Sequence, residues 1–157
     1  RYRYLFGPVS IDNQYQALSK DVMVQFLSGR RMAAKIADRV RPRHPLKVRG
    51  LKKDERRAVR RILSDIDDVS ALISEIEDSG KGIPVLLRHY VKLNARLIAF
   101  NIDPDFNDSV DSLMVVDVTR IERRMLEHYL GREGAASYLR RQDADGATTV
   151  PADGAGA

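Results

Sequence analysis

A polar segment between two apolar stretches carries an oxygen-bearing side chain at every second position, namely at Asp103, Asp105 and Asn107. Carboxylate and amide oxygens at such a spacing are ligands for a divalent cation. A calcium-binding loop also requires a glycine and a distal glutamate, and both are missing here. Aspartate and asparagine also hydrogen-bond to their own backbone in tight turns. Residues 103–108 are therefore predicted to form a turn between two strands, and no metal ion is expected.

Other catalytic signatures are absent. None of the three histidines has an aspartate five positions later, so the His-x4-Asp signature of glycerolipid acyltransferases is missing; they are His44, His89 and His128. The chain contains no nucleophile elbow, Walker loop or dinucleotide fingerprint. It also contains no cysteine, which excludes disulfides, thiolate metal sites and a cysteine nucleophile.

The apolar pattern predicts the elements that carry these residues. Strands are predicted at residues 4–11, 95–102 and 110–118, and helices at 14–27, 84–93, 121–130 and 133–140. An apolar stripe over residues 52–76 predicts either one bent helix or two, the second capped by Ser64 or Asp65. Pro8 has no N–H to donate, so the first strand should have an edge or a bulge there.

The order of strand, helices, strand, strand and helix predicts an α/β or α+β fold with a mixed sheet and flanking helices. The 157 residues, 43% of them hydrophobic, suffice for one core, and no apolar run approaches the ~20 residues of a membrane span. Because the sequence opens inside an apparent core strand, residues 1–141 are predicted to be the C-terminal part of a larger domain. Residues 142–157 have little to bury and are predicted to be a disordered tail.

The net charge of +5 is unevenly distributed. Residues 30–61, the basic segment, contain fourteen basic and three acidic residues, a net charge of +11. Such a segment attracts nucleic acid, anionic lipid or an acidic protein, or it is a solvated face that pairs with the acidic residues that follow. Tyr2, Tyr4 and Phe6 would suit base stacking, but strand aromatics are usually core, so nucleic acid is disfavoured.

Four segments together resemble a known family: RYLFGPVSI at residues 3–11, GKGIPVLLRHYVKL at 80–93, FNIDPDFND at 100–108 and DSLMVVD at 111–117. Between about Arg3 and Gly131 the chain resembles the C-terminal half of hemolysin-like acyltransferases of the GNAT superfamily. That group is similar to ornithine-lipid N-acyltransferases and N-acyl amino acid synthases of bacteria. The segment 100–108 is the most specific part of the likeness.

The resemblance implies transfer of a long fatty acyl group from an acyl carrier protein thioester to an amine, with no bound cofactor. The pyrophosphate-cradling turn of the superfamily would lie upstream of residue 1. The first strand would be one of the splayed central strands, and its backbone around Phe6, Gly7 and Val9 would orient the acyl carbonyl. The basic segment would dock the acidic carrier protein or hold the protein on anionic lipid.

The amine must lose a proton, so the resemblance also implies a carboxylate or a water relay near the cleft. Asp103 and Asp105 are the candidates for the base, and Ser10 is the candidate for a supporting hydrogen bond. The expected location is the cytoplasm, with peripheral attachment to the inner membrane as a variant. The alternative function is a noncatalytic basic module that binds an acidic protein or an anionic membrane surface.

Overall fold

The computed structural model describes residues 2–30, 34–48 and 65–146. Its strands are β1 (Tyr4–Ile11), β2 (Arg96–Asp103) and β3 (Ser109–Asp117). Its helices are α1 (Ala17–Ser28), α2 (Ala34–Ala37), α3 (Ile66–Ile76), α4 (Val85–Lys92) and α5 (Arg123–Gly146), and 3₁₀ turns lie at Pro104–Phe106 and Val118–Arg120. The predicted α+β class is confirmed. The predicted stripe at 52–64 lies outside the described residues.

The described strands form one sheet in the order β1-β3-β2. Strands β2 and β3 are antiparallel, with Asn101 opposite Asp111 and Asp103 opposite Ser109. A hydrogen bond from the Ser10 hydroxyl to Asp111 fits an antiparallel β1–β3 pair as well. The sequence predicted a mixed sheet. That prediction is wrong for the described strands, which are antiparallel throughout. A short turn joins β2 to β3, and so short a connection permits only antiparallel pairing.

Strand β1 is an edge of the described sheet, as Pro8 predicts. The N–H of Val118 donates to the carbonyl of Arg3 at 2.9 Å, so these two residues form a hydrogen-bonded pair. In an antiparallel pair every second residue of a strand bonds to the same neighbour. Gly7 and Val9 therefore also turn their main-chain N–H and C=O groups toward β3. Phe6, Pro8 and Ser10 turn theirs away from it. Proline therefore occupies a position at which the ladder needs no donor.

The chain divides into two units, one of residues 6–116 and one of residues 1–5 with 117–157. In the larger unit α1 packs against α3 and β2, and α3 packs against α4. Its most deeply buried apolar side chains come from all of these elements and the strands: Val9, Ile11, Met23, Leu27, Val69, Ile73, Leu87, Leu97 and Met114. The smaller unit has its own core of Val118, Leu126 and Ala135, packed by Ile121, Tyr138 and Leu139.

The N-terminal aromatic residues are not core residues, and the expectation that they would be is wrong. Tyr2, Tyr4 and Phe6 are 75%, 38% and 71% exposed. Within β1 the inward positions are taken by Val9 and Ile11, and side chains alternate between the two faces of a strand. Phe6 shares its face with Pro8 and Ser10, which are also exposed.

Of two predicted helix starts in the described residues, one is confirmed and the other lies one residue later than predicted. Asp65 caps α3, because its side chain accepts a hydrogen bond from the N–H of Asp67 at 2.7 Å. Pro84 immediately precedes α4 at the N-cap position. Helix α5 continues to Gly146 and so includes the first residues of the predicted tail. Residues 147–157 lie outside the described residues.

Replacing Gly131 with alanine is expected to lower the free energy of unfolding by roughly 1–3 kcal/mol. Gly131 interrupts α5 with φ 71° and ψ 163°, a conformation that L-residues rarely adopt. An alanine Cβ there would meet no atom within 4 Å, so the penalty is backbone strain alone. Urea unfolding monitored by circular dichroism measures it.

Gly134→Ala is the matched control for this prediction. Its Cβ would lie 3.4 Å from the Leu130 Cβ, an ordinary contact, and alanine favours the helix. The control is expected to be neutral or slightly stabilising. Equal losses for the two variants would contradict the assigned strain at Gly131.

Candidate functional site

A row of three polar side chains crosses one face of the sheet, one from each strand. The Ser10 hydroxyl donates to Asp111 Oδ1 at 2.6 Å, and Asn101 lies directly opposite Asp111. Residues directly opposite each other in a sheet project from the same face. Ser10, Asp111 and Asn101 therefore form one polar row. Ser10 is exposed, and the other two are half-buried.

The Asn101 end of the polar row fixes a neighbouring segment. Asn101 Oδ1 accepts a hydrogen bond from the N–H of His44 at 2.8 Å, and the N–H of Ile102 donates to the His44 carbonyl at 2.8 Å. Pro45 pairs with Asn101 as an isolated bridge. These contacts attach residues 44–45 to the outer edge of β2, beside the polar row.

Asp103 and Asp105 occupy different environments. Asp103 is the last residue of β2 and is half-buried, whereas Asp105 is exposed in the 3₁₀ turn. Asp103 Oδ1 accepts a hydrogen bond from the N–H of Asp105 at 3.0 Å, which is the predicted backbone-bonded turn. Asn107 and Asp108 follow with φ of 53° each, in the left-handed conformation that these residues tolerate.

The structure brings Asp103 toward the polar row. Asp103 stands two residues after Asn101 in the same strand, so both side chains rise from the same face. It is thus a diagonal neighbour of Asp111. Among the predicted base candidates, Asp103 shares this face with Ser10, and Asp105 belongs to the turn beyond it.

The three β1 residues predicted to orient an acyl carbonyl differ in what they present. Phe6 is exposed and turns its main-chain groups to the outer edge of the sheet. Val9 is 2% exposed and belongs to the core. Gly7 faces the helical layer, where an added Cβ would lie 2.8 Å from the Tyr90 hydroxyl oxygen. Of the three, Phe6 has the geometry to contact a ligand at the edge.

Only part of the basic segment lies in the described residues. Four of its side chains there are exposed: Arg39, Arg41, Arg43 and Lys47. Arg30 is in a different environment from these exposed residues. Burial lowers its pKa, and nearby Arg96 lowers that pKa further. Its guanidinium lies 5.2 Å from the centre of the Phe26 ring. Three of these residues, Arg41, Arg43 and Lys47, lie within three positions of His44, whose main chain bonds to β2 beside the polar row. Arg31 and the basic residues from 49 to 61 fall outside the described residues.

The arrangement provides hydrogen-bond acceptors on a sheet face next to an exposed edge. A carboxylate only accepts hydrogen bonds, and the Ser10 hydroxyl fixes one oxygen of Asp111. Such a pair can bind a cationic donor or accept a proton from it.

Three residues of this face were not predicted as site residues: Asn101, Ser109 and Asp111. The sequence does place polar residues at every second position of two strands joined by a turn. Asn101 and Asp103 come before the turn, and Ser109 and Asp111 come after it. That placement predicts a polar patch on one face once the strands pair.

Comparison with known proteins found no matching family model, no matching curated protein and no matching solved structure. In the part of the chain that the structure describes, no group of three or more His, Cys, Asp or Glu side chains is arranged to hold a metal ion. No helix in the described ranges is long and apolar enough to cross a membrane.

Proposed function

We propose that this chain forms part of a GNAT-like N-acyltransferase domain, which moves a long fatty acyl group from an acyl carrier protein thioester to an amine. The observation that carries the proposal is the Ser10–Asp111 hydrogen bond of 2.6 Å on an exposed edge strand. This hydrogen bond links the Asp111 carboxylate, which can accept a proton, to β1. The sequence of β1 is the one that most suggests acyl binding. The likeness of residues 3–131 to hemolysin-like acyltransferases supports the same function.

The edge of β1 suits the acyl donor. Its outward main-chain groups at Phe6 and Ser10 can hydrogen-bond to the thioester carbonyl and stabilise the oxyanion that forms there. The Phe6 side chain is exposed, and it offers apolar surface to the acyl chain. The antiparallel strands would then be the C-terminal strands of a GNAT-like sheet.

The reaction balances with one carboxylate acting as base. The acceptor's ammonium gives one proton to Asp103 or Asp105, the predicted bases, or to Asp111. The amine nitrogen then attacks the thioester carbon, a C–N bond forms and the C–S bond breaks. The thiolate of the carrier leaves and takes up the second proton of the nitrogen. The products are an amide and the free thiol of the acyl carrier protein.

The exposed basic residues support docking of an acidic carrier. Arg41, Arg43 and Lys47 lie on either side of His44, which bonds to β2 beside the polar row. An acidic protein bound to them would deliver its thioester close to Ser10 and Asp103. An anionic membrane surface could use the same charges to hold the protein near a lipid acceptor.

Ser10→Ala is expected to reduce amine-dependent thiol release from an acyl carrier protein thioester about tenfold, because Asp111 loses the bond that fixes its position. The assay follows free thiol with a chromogenic disulfide, using the gene product purified from its source cell and a set of primary amines. The effect should appear in kcat, with little change in KM for the carrier.

Ser74→Ala is the matched control, since the Ser74 hydroxyl bonds only to the Ala71 carbonyl within α3 among the described contacts. It should keep full turnover. Unchanged turnover in Ser10→Ala would contradict the role given to Ser10. Absence of thiol release with every amine tested would contradict the proposed function as a whole.

The exposed basic residues also favour a second function, a noncatalytic module that binds an acidic protein or an anionic membrane. This function predicts binding that weakens steeply with salt, without any release of thiol. The acyltransferase predicts both the salt-dependent binding and the turnover.

A further inference from the structure

Three oxygen-bearing side chains cluster where β2 turns into β3. Asp103 and Ser109 lie directly opposite each other, and Asp111 follows Ser109 by two residues on the same face. We call this cluster the acidic corner. The Ser10 hydroxyl borders it through its bond to Asp111 Oδ1.

The two carboxylates of the acidic corner have few partners among the described residues. None of the described ion pairs involves Asp103 or Asp111. Each carboxylate has one described hydrogen bond: Asp103 Oδ1 accepts from the N–H of Asp105, and Asp111 Oδ1 accepts from Ser10. The second oxygen of each carboxylate has no partner among the described residues. Two acceptor oxygens are therefore left for a donor from outside.

Ser109 gives independent evidence for such a donor. The residue is 6% exposed, and its hydroxyl oxygen is buried without a hydrogen-bond partner. A buried hydroxyl usually has a partner, and leaving it without one costs stability. Ser109 stands opposite Asp103, so its side chain projects from the face that carries both carboxylates.

We propose that Asp103, Ser109 and Asp111 bind a primary ammonium group. An ammonium carries three donors and no acceptor, and the acidic corner offers three acceptors without an ion pair to any described residue. Diagonal neighbours across an antiparallel pair are roughly 7 Å apart at Cβ, which leaves room for a nitrogen within about 2.8 Å of an oxygen of each carboxylate. A calcium ion would require roughly six to eight oxygens.

The location links the site to catalysis, a step that rests on the proposed function. An amine held at the acidic corner lies next to Ser10 on the edge strand, where the thioester would bind. Asp111 then serves as the group that binds the acceptor and fixes its nitrogen. Binding of the ammonium requires no acyl donor, so it can be measured separately from the reaction.

The test is an NMR titration of the full, 15N-labelled chain with n-hexylamine hydrochloride, and with n-hexanol as the neutral probe. The amine is expected to shift the amide resonances of residues 101–103 and 109–111, and hexanol is not. Asp111→Asn should weaken amine binding about tenfold, the usual effect of losing a charge-assisted hydrogen bond. Asp108→Asn removes the same charge at an exposed position that tolerates asparagine, and it should bind as the unmodified chain does.

Ser109→Ala provides a second test that does not depend on the charge. It should weaken amine binding about threefold without lowering the melting temperature, because its hydroxyl has no partner to lose. A purely structural Ser109 would change the melting temperature and leave amine affinity unaltered. Equal binding by the Asp111→Asn and Asp108→Asn variants would overturn the site, and so would equal shifts with amine and hexanol.

The outcomes separate the two proposals. Specific amine binding without thiol release would retain the ammonium site and reject the acyltransferase. Thiol release that persists while Asp111→Asn binds amine normally would retain the acyltransferase and reject the site.

Discussion

Replacing Gly82 with alanine is expected to lower the free energy of unfolding by about 3 kcal/mol. An alanine Cβ at this position would overlap the Ser70 hydroxyl oxygen and lie 3.2 Å from the Ser70 carbonyl oxygen. Ser70 is buried and cannot yield easily, because its hydroxyl oxygen accepts hydrogen bonds from the N–H of Ile83 at 3.2 Å and from Arg88 Nη2 at 2.7 Å. Moving it would break the bonds that join α3 to the start of α4.

A double-mutant cycle identifies the cause. Ser70→Ala removes the oxygen that the new Cβ would strike, and the Ser70 Cβ itself lies at a tolerable 3.5 Å. Gly82→Ala should therefore cost about 1–2 kcal/mol less in the Ser70→Ala background than in the unmodified chain. Urea unfolding of the four proteins measures this coupling. Additive effects would mean that the clash with Ser70 is not the reason for the loss.

Glu77→Ala is expected to lower the melting temperature at pH 7 by several degrees. Glu77 is buried at the end of α3, and its Oε1 accepts a hydrogen bond from the N–H of Gln16, at the start of α1, at 2.9 Å. Lys81 Nζ lies 3.9 Å from its other oxygen. Removing the carboxylate leaves the start of α1 without this acceptor, and buried donors without partners are costly.

The same carboxylate makes stability depend on pH. The Ser19 hydroxyl, the N–H of Gln16 and Lys81 hold the pKa of Glu77 below its usual 4.5, against the opposing effect of burial. A lowered folded-state pKa means that Glu77 contributes its full stabilisation above the usual value and loses it as pH falls through the folded value. The difference in melting temperature between the unmodified chain and Glu77→Gln should therefore shrink on acidification from pH 7 to pH 3.

Glu75→Gln is the control, because Glu75 is exposed on the same helix. It should change the melting temperature little at either pH. Each variant is compared with the unmodified chain at the same pH, because the interactions of Asp117 also weaken in acid and affect both proteins equally. Burial alone would raise the pKa of Asp117, but hydrogen bonds from Arg3 and Thr119 hold it lower. A Glu77→Gln difference that stayed constant with pH would contradict the assigned charge interaction.

The sequence predicts the elements of this chain better than their faces. Strand β1 was predicted with its observed ends, and Asp65 was predicted as a cap. These features depend on local signals, namely apolar runs, prolines and capping side chains. The exposure of Tyr4 and Phe6 could not be predicted in the same way. It depends on which face of β1 the helices cover, and this is decided by contacts distant in sequence.

The candidate site was predicted in part for the same reason. Ser10 and Asp103 were singled out, and they prove to share one face of the sheet. Asp111 was not, although it bonds to Ser10, because their adjacency depends on the β1–β3 pairing across 101 residues. The register of a strand pair is what converts two separate polar motifs into one site.

The position of Pro8 has a consequence for how copies of this chain meet one another. An edge strand with a full row of free donors invites another strand to pair with it, which is a common origin of aggregation. Along β1 the proline removes one outward donor between those of Phe6 and Ser10. A second copy added at this edge would leave a carbonyl without a partner in the middle of the new ladder. The edge thus resists self-association while its outward groups on either side remain able to bind a small ligand.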